Sequence, residues 1–156
     1  MAVIKSIMKT DLHVANVGED VAKVSEKMGA QNEGAVLVLD QGRLAGIFSE
    51  RDLLTKVISK GLNPASVKVE AVMTRNPITV TTDTHIRDCI RLVREKGFRH
   101  LPVVDGKGTA VGIISTRDFL QFIVDALENL IDEADYKDQL EQGVDPYDLI
   151  GGSYSR

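Results

Sequence analysis

The chain has 156 residues, 43% apolar and 27% charged, an ordinary globular make-up long enough for one domain or two tightly packed halves. Aromatic residues make up only 4% and Trp is absent, so the core must be built from aliphatic side chains. A formal net charge of -4 argues against nonspecific nucleic-acid binding, which needs a basic face, and no apolar run approaches the roughly 18 residues of a membrane span.

Met1-Ala2-Val3-Ile4-Lys5 lacks the hydrophobic region of a signal peptide, so a cytoplasmic location is expected. Met8-Lys9-Thr10 leads into a short extended piece over 12–15. Gly18-Glu19-Asp20 then opens a helix whose Val21, Val24 and Met28 share one face. An apolar strand over 35–39, a turn at Asp40-Gln41-Gly42 and a returning strand over 43–48 follow. A helix from Ser49, with Leu53, Leu54 and Val57 expected inward, ends at Lys60-Gly61.

The same order then recurs. Ile7-Met8 is answered by Val72-Met73, 65 residues on, and Val38 and Asp40 by Val103 and Asp105 at the same offset. Asp52 is answered by Asp118, 66 residues on, which puts one inserted residue in the turn at Gly106-Lys107-Gly108. The second copy has an extended 78–80, a helix carrying Ile86, Cys89, Ile90 and Val93, and a hairpin of 101–104 with 109–114. Its last helix runs on, with Phe119, Phe122, Ile123, Ala126, Leu130 and Ala134 at helical spacing. That stripe needs a cover, either the paired module or a second copy. Gly143, Pro146 and Gly151-Gly152 mark an expected loop-like tail.

The clearest repeat is Gly46-Ile47-Phe48-Ser49-Glu50-Arg51-Asp52 against Gly112-Ile113-Ile114-Ser115-Thr116-Arg117-Asp118. Each runs from a strand into a helix opening Ser-x-x-Asp. A helix start exposes unpaired N–H groups and the positive end of its dipole, a natural place for an anion. The Ser hydroxyl suits a phosphate and the Asp carboxylate suits vicinal sugar hydroxyls, together a nucleotide. The same pattern also makes a capping box, which satisfies the helix end with no ligand. Both readings stand on the residues alone.

Two copies of a β-α-β-β-α unit, each closed by Gly-Ile-x-Ser-x-Arg-Asp, resemble the CBS domain, named after cystathionine β-synthase. Met73-Thr74-Arg75-Asn76-Pro77, Thr79-Val80 and Gly97-Phe98-Arg99-His100-Leu101-Pro102-Val103-Val104-Asp105 support the resemblance. It implies an α/β, α+β-like fold of two tandem repeats related by a pseudo-twofold axis, with a C-terminal helical extension. The expected boundaries are 1–62 and 67–125 for the repeats, 63–66 for a linker, and 126–156 for helix extension and tail. A stand-alone CBS-domain protein, paired as a Bateman module and forming a homodimer, is the expectation.

The resemblance further implies clefts that take AMP, ADP, ATP or S-adenosylmethionine as a regulatory ligand. It assigns ribose binding to Asp118 and Asp52. Phosphate binding falls to Ser115, Thr116, Arg117, Ser49, Arg99 and His100, and adenine binding to Ile78, Thr79, Val80, Leu101, Pro102 and Val14. Arg99 offers a bidentate fork and His100 a charge below its ordinary pKa. Otherwise Arg99 is solvated and His100 packed. The first repeat has Gly34-Ala35 where the second has Arg99-His100, with Glu33 just before, and Glu50 in place of Thr116. This favours a well-furnished site around Asp118 and a weaker one around Asp52, although clefts that draw walls from both repeats blur that ranking.

No catalytic constellation is visible. His13, His85 and His100 lack metal-ligand spacing, Ser115 lacks a His/Asp relay, and Cys89 has the neighbours of a core residue. The chain is read as a non-enzymatic regulatory module needing no cofactor, binding no nucleic acid or membrane, and altering affinity for a regulated protein. The alternative is a ligand-independent dimerisation or adaptor module.

Overall fold

The computed structural model describes residues 2–142. A 3₁₀ turn, Ile4–Ser6, precedes β1 (Val14–Asn16), α1 (Val21–Gln31), β2 (Ala35–Asp40), β3 (Arg43–Ser49) and α2 (Glu50–Asp52). Then come α3 (Val69–Val72), β4 (Thr74–Arg75), β5 (Val80–Thr81), α4 (Ile86–Lys96), β6 (His100–Val104), β7 (Ala110–Ser115) and α5 (Thr116–Glu141). The strands form two sheets, ordered β1-β2-β3-β4 and β5-β6-β7. In each, a parallel pair joined through a helix is followed by an antiparallel hairpin. The fold is mixed α and β, with the C-terminal helix in place.

Local chemistry explains the elements. The Asp20 carboxylate accepts from Lys23 N at 2.9 Å to start α1, which buries Val21, Val24 and Met28. Asn32 and Gly97 end α1 and α4 in the left-handed region, at φ 53° and 70°. The first hairpin turns on Gln41 and Gly42, both at positive φ. In the longer second turn, the Asp105 carboxylate accepts from Lys107 N and Thr109 N, each at 2.9 Å.

The two repeats exchange their opening segments. Ile4 is fully buried; its N–H donates to Thr84 O at 2.8 Å, and Ile86 N donates to Ala2 O at 3.2 Å. In the mirror arrangement Val69 N donates to Glu19 O at 2.9 Å, and Val69, Val72 and Met73 join the first repeat's core around Val24 and Phe48. Thr74 pairs with Ile47, and Lys9 with Ile113. These crossings require Gly46 and Gly112. A Cβ on Gly46 would lie 2.8 Å from Thr74 O and 2.5 Å from Met73 Sδ, and one on Gly112 would lie 3.0 Å from Lys9 O and 2.8 Å from Met8 Sδ.

Two expected core residues face outward. Leu54 is 60% exposed because the chain widens after α2 into a π turn, Leu53–Val57, before a 3₁₀ turn, Ile58–Lys60. That widening gives the inward position to Val57, fully buried. On α4 the buried residues are Ile86 and Cys89, and Ile90 lies at the exposed edge of that face. Burial pushes the Cys89 thiol up to about 11, as for a core residue.

By packing, the chain divides into Met1–Asp118 and Phe119–Arg156. The second unit, as far as it is described, is the continuation of α5, with Leu120, Ile123, Leu127, Leu130 and Ile131 exposed. No described helix is long and apolar enough to cross a membrane. Gly143, Pro146 and Gly151-Gly152 lie outside the described residues.

Replacing Gly46 with Ala is expected to destabilise the protein by about 1–3 kcal/mol, because the clash includes a backbone oxygen that cannot rotate away. Gly112→Ala should cost less, and Leu54→Ser should stay within about 0.5 kcal/mol. Urea unfolding of the three variants checks the order.

Candidate functional site

Each Ser-x-x-Asp closes on itself. Ser49 N and Ser49 Oγ both donate to Asp52 Oδ2 at 2.9 Å, and Asp52 N donates back to Ser49 Oγ at 3.3 Å. Ser115 N and Oγ donate to Asp118 Oδ2 at 2.6 and 2.7 Å, and Asp118 N returns to Ser115 Oγ at 3.3 Å. The boxes hold both carboxylates in place without a ligand. They differ at the other oxygen. Asp52 Oδ1 receives Lys56 Nζ at 2.7 Å, whereas Asp118 Oδ1 has no partner among the described residues.

Each aspartate opens onto a cavity in the first unit, of about 400 Å³ for Asp118 and about 320 Å³ for Asp52. The exchange of opening segments decides their walls. Asp118 and Ser115 face Lys9, Asn32, Glu33 and Gly34 of the first repeat. Asp52 and Ser49 face Pro77, Ile78, Phe98 and Leu101 of the second. Equivalent positions therefore line both cavities with different chemistry. Phe98 lines one where Glu33 lines the other, so the Asp52 cavity has apolar walls and the Asp118 cavity carries charge.

Of the expected adenine residues, Ile78 and Leu101 thus stand with Asp52. Thr79 is exposed, Val80 and Pro102 are buried in the second sheet, and Val14 pairs with Leu37 in β1; none of these four lines either cavity. Arg117 and Thr116 line the Asp118 cavity. Lys9, which lines the Asp118 cavity, and Pro77 and Phe98, which line the Asp52 cavity, were not among the expected site residues. The signal for them lay in the glycine of Gly-Ile-x-Ser, which marks a close backbone crossing.

Arg99, His100 and Glu50 line both cavities. Arg99 Nη1 lies 3.9 Å from Glu50 Oε1, and the half-buried His100 imidazole sits over Gly34, 3.3 Å from where a Cβ would be. The basic pair absent from the first repeat is replaced by a side chain reaching across from the second. In the Asp118 cavity the Glu33 carboxylate draws Lys9 Nζ to 3.6 Å and His13 Nδ1 to 3.7 Å. No group of three or more possible metal ligands occurs among the described residues.

The sequence profile of the CBS domain matches residues 4–59 and again 69–125. The chain belongs to the CBS domain family. An uncharacterized protein of Methanopyrus kandleri is 33% identical over 116 residues, covering 74% of this chain and 59% of that protein; the chain thus spans less than two thirds of this relative. An uncharacterized conserved protein from Pyrococcus horikoshii superposes with a TM-score of 0.72 at 30% identity, over 77% of this chain and 90% of that one. CBSX2, solved in complex with AMP, superposes at 0.67 with 28% identity, over 80% of this chain and 97% of that one. The two matched repeats are a CBS pair.

Within this CBS pair, burial holds the His100 pKa below its ordinary 6.5, against the pull of Glu50, Asp118 and Glu33 and together with the nearby Arg99. Below about pH 6.5 the unfolded chain therefore binds a proton that the folded chain resists. This contribution to stability is present above that pH and lost as pH falls through it. On going from pH 7.5 to 5.5, the melting temperature of His100→Gln is expected to fall less than that of the wild type. Equal falls would show that folding leaves the His100 pKa unshifted.

Proposed function

We propose that the CBS pair senses an adenosine-containing nucleotide of the AMP class, held in the Asp52 cavity, and that binding shifts the packing of the two repeats. The observation that carries this reading is the apolar wall of Ile78, Phe98 and Leu101 opposite a fixed carboxylate and a helix start. Such walls suit the faces of a base, and Asp52 retains lone pairs for ribose hydroxyls beyond its bonds to Ser49 and Lys56. Arg99 supplies a fork for phosphate. The AMP complex of CBSX2, 28% identical, supports the ligand class. This reverses the ranking expected from sequence, because Glu33 stands with Asp118.

A ligand that binds only the folded state raises its stability, by about 2.7 kcal/mol at a hundred times the Kd. AMP, ADP, ATP and S-adenosylmethionine are the panel for thermal unfolding, with AMP expected to give a rise. Asp52→Asn should diminish that rise, and Ile78→Trp, which fills the base position without adding charge, should reduce it to what the Asp118 cavity alone supports. Asp118→Asn should leave it largely intact. No rise with any of the four would favour the second reading, a ligand-independent adaptor, which the self-satisfied capping boxes support.

The homodimer belongs to this proposal. On α5 the exposed Leu120, Val124, Leu127 and Ile131 alternate three and four residues apart. Leu at one set of positions and β-branched residues at the other is the pattern of a two-stranded helical seam. Light scattering at micromolar concentration is expected to report a dimer, and Leu127→Glu a monomer. A wild-type monomer would overturn it.

A further inference from the structure

Pseudo-twofold symmetry calls for a basic pair in each repeat, yet the first has Gly34-Ala35 where the second has Arg99-His100. The remaining arginine is tied to both helix starts. Its carbonyl oxygen accepts from Thr116 N, the first N–H of α5, at 2.9 Å. Its guanidinium lies 3.9 Å from the carboxylate of Glu50, the first residue of α2. Arg99 borders both cavities. The other cations are not shared. Arg51 borders only the Asp52 cavity, Arg117 and Lys9 only the Asp118 cavity, and Lys9 leans on Glu33.

We infer that Arg99 couples the two clefts antagonistically for ligands that carry a phosphate: a nucleotide in one cleft takes the guanidinium from Glu50 and from a nucleotide in the other. The inference rests on the nucleotide reading above and adds to it that the clefts compete. A planar fork can align with one phosphate at a time. Its pairing with Glu50 joins two side chains that are each more than half exposed, 53% and 67%, so it yields readily to a ligand. A nucleoside without phosphate makes no claim on Arg99, and its two binding steps are independent. The coupling is reciprocal, since each ligand must weaken the other by the same factor.

Calorimetric titration of the full chain with AMP and with adenosine tests this. The expected result is a second AMP step at least tenfold weaker, relative to the first, than the second adenosine step. Intrinsic difference between the clefts is separated from competition by Ile78→Trp, which closes the Asp52 cleft at a site 43% exposed in the fold. In that variant AMP should bind the Asp118 cleft about tenfold tighter than as the second ligand of the wild type, with adenosine there unchanged. Arg99→Gln should bring the AMP ratio to the adenosine ratio. An AMP affinity in Ile78→Trp equal to the wild type's second step, or a ratio unmoved by Arg99→Gln, overturns the coupling. So does a single step for both ligands. Absence of any binding by AMP and adenosine instead removes the nucleotide reading itself, and the coupling with it.

Discussion

Two backbone crossings govern this molecule: Met73-Thr74 over Gly46 and Met8-Lys9 over Gly112. At each, a strand of one repeat admits the opening segment of the other because it lacks a side chain. The crossing brings Ile4 and Val69 into cores begun by the opposite repeat. It makes the pair one packing unit, since neither sheet is complete without the other repeat's start. It also decides which side chains confront which aspartate. A constraint of a few ångströms at two glycines thus sets both stability and the chemistry of the clefts.

Much of the fold was legible along the chain. The 65-residue offset, the apolar periods of α1 and α4 and the Asp40-Gln41-Gly42 turn come from local chemistry, which a sequence displays directly. Leu54 was misplaced because a π turn shifts helical phase, and nothing in Leu53-Leu54-Thr55-Lys56-Val57 announces one. The aspartates and serines were also legible, since Ser-x-x-Asp is a local device. Their opposing walls were not. Ile78 and Leu101 face Asp52 rather than Asp118 through a long-range exchange, which periodicity within one repeat does not encode.

The closed capping boxes reconcile the two readings of Ser-x-x-Asp. A carboxylate that accepts from its own serine's N–H and Oγ is held in one rotamer before any ligand arrives, and rigid placement lowers the ordering cost of binding. On the nucleotide reading proposed above, structural cap and sugar-binding group are the same atoms in two roles. Lys56 distinguishes the copies by occupying Asp52 Oδ1 at 2.7 Å, the carboxylate buried and the lysine partly exposed. The apolar walls distinguish them as well, since Ile78, Phe98 and Leu101 line the Asp52 cavity and not the Asp118 cavity.

Duplication creates two equivalent clefts, and divergence then makes them unequal through single positions. Glu33 against Phe98 exchanges a charge for an apolar ring. Gly34 against Arg99 has a larger consequence, because the lost side chain leaves room for the His100 imidazole of the other repeat. Burial lowers the pKa of that imidazole, and the guanidinium beside it is the permanently positive group that both clefts touch. A symmetric pair with two arginines would hold each phosphate separately. With one arginine bordering both cavities, the coupling inferred above follows: a phosphate bound in either cleft changes the charge seen by the other, and the asymmetry of the sequence becomes a connection between sites.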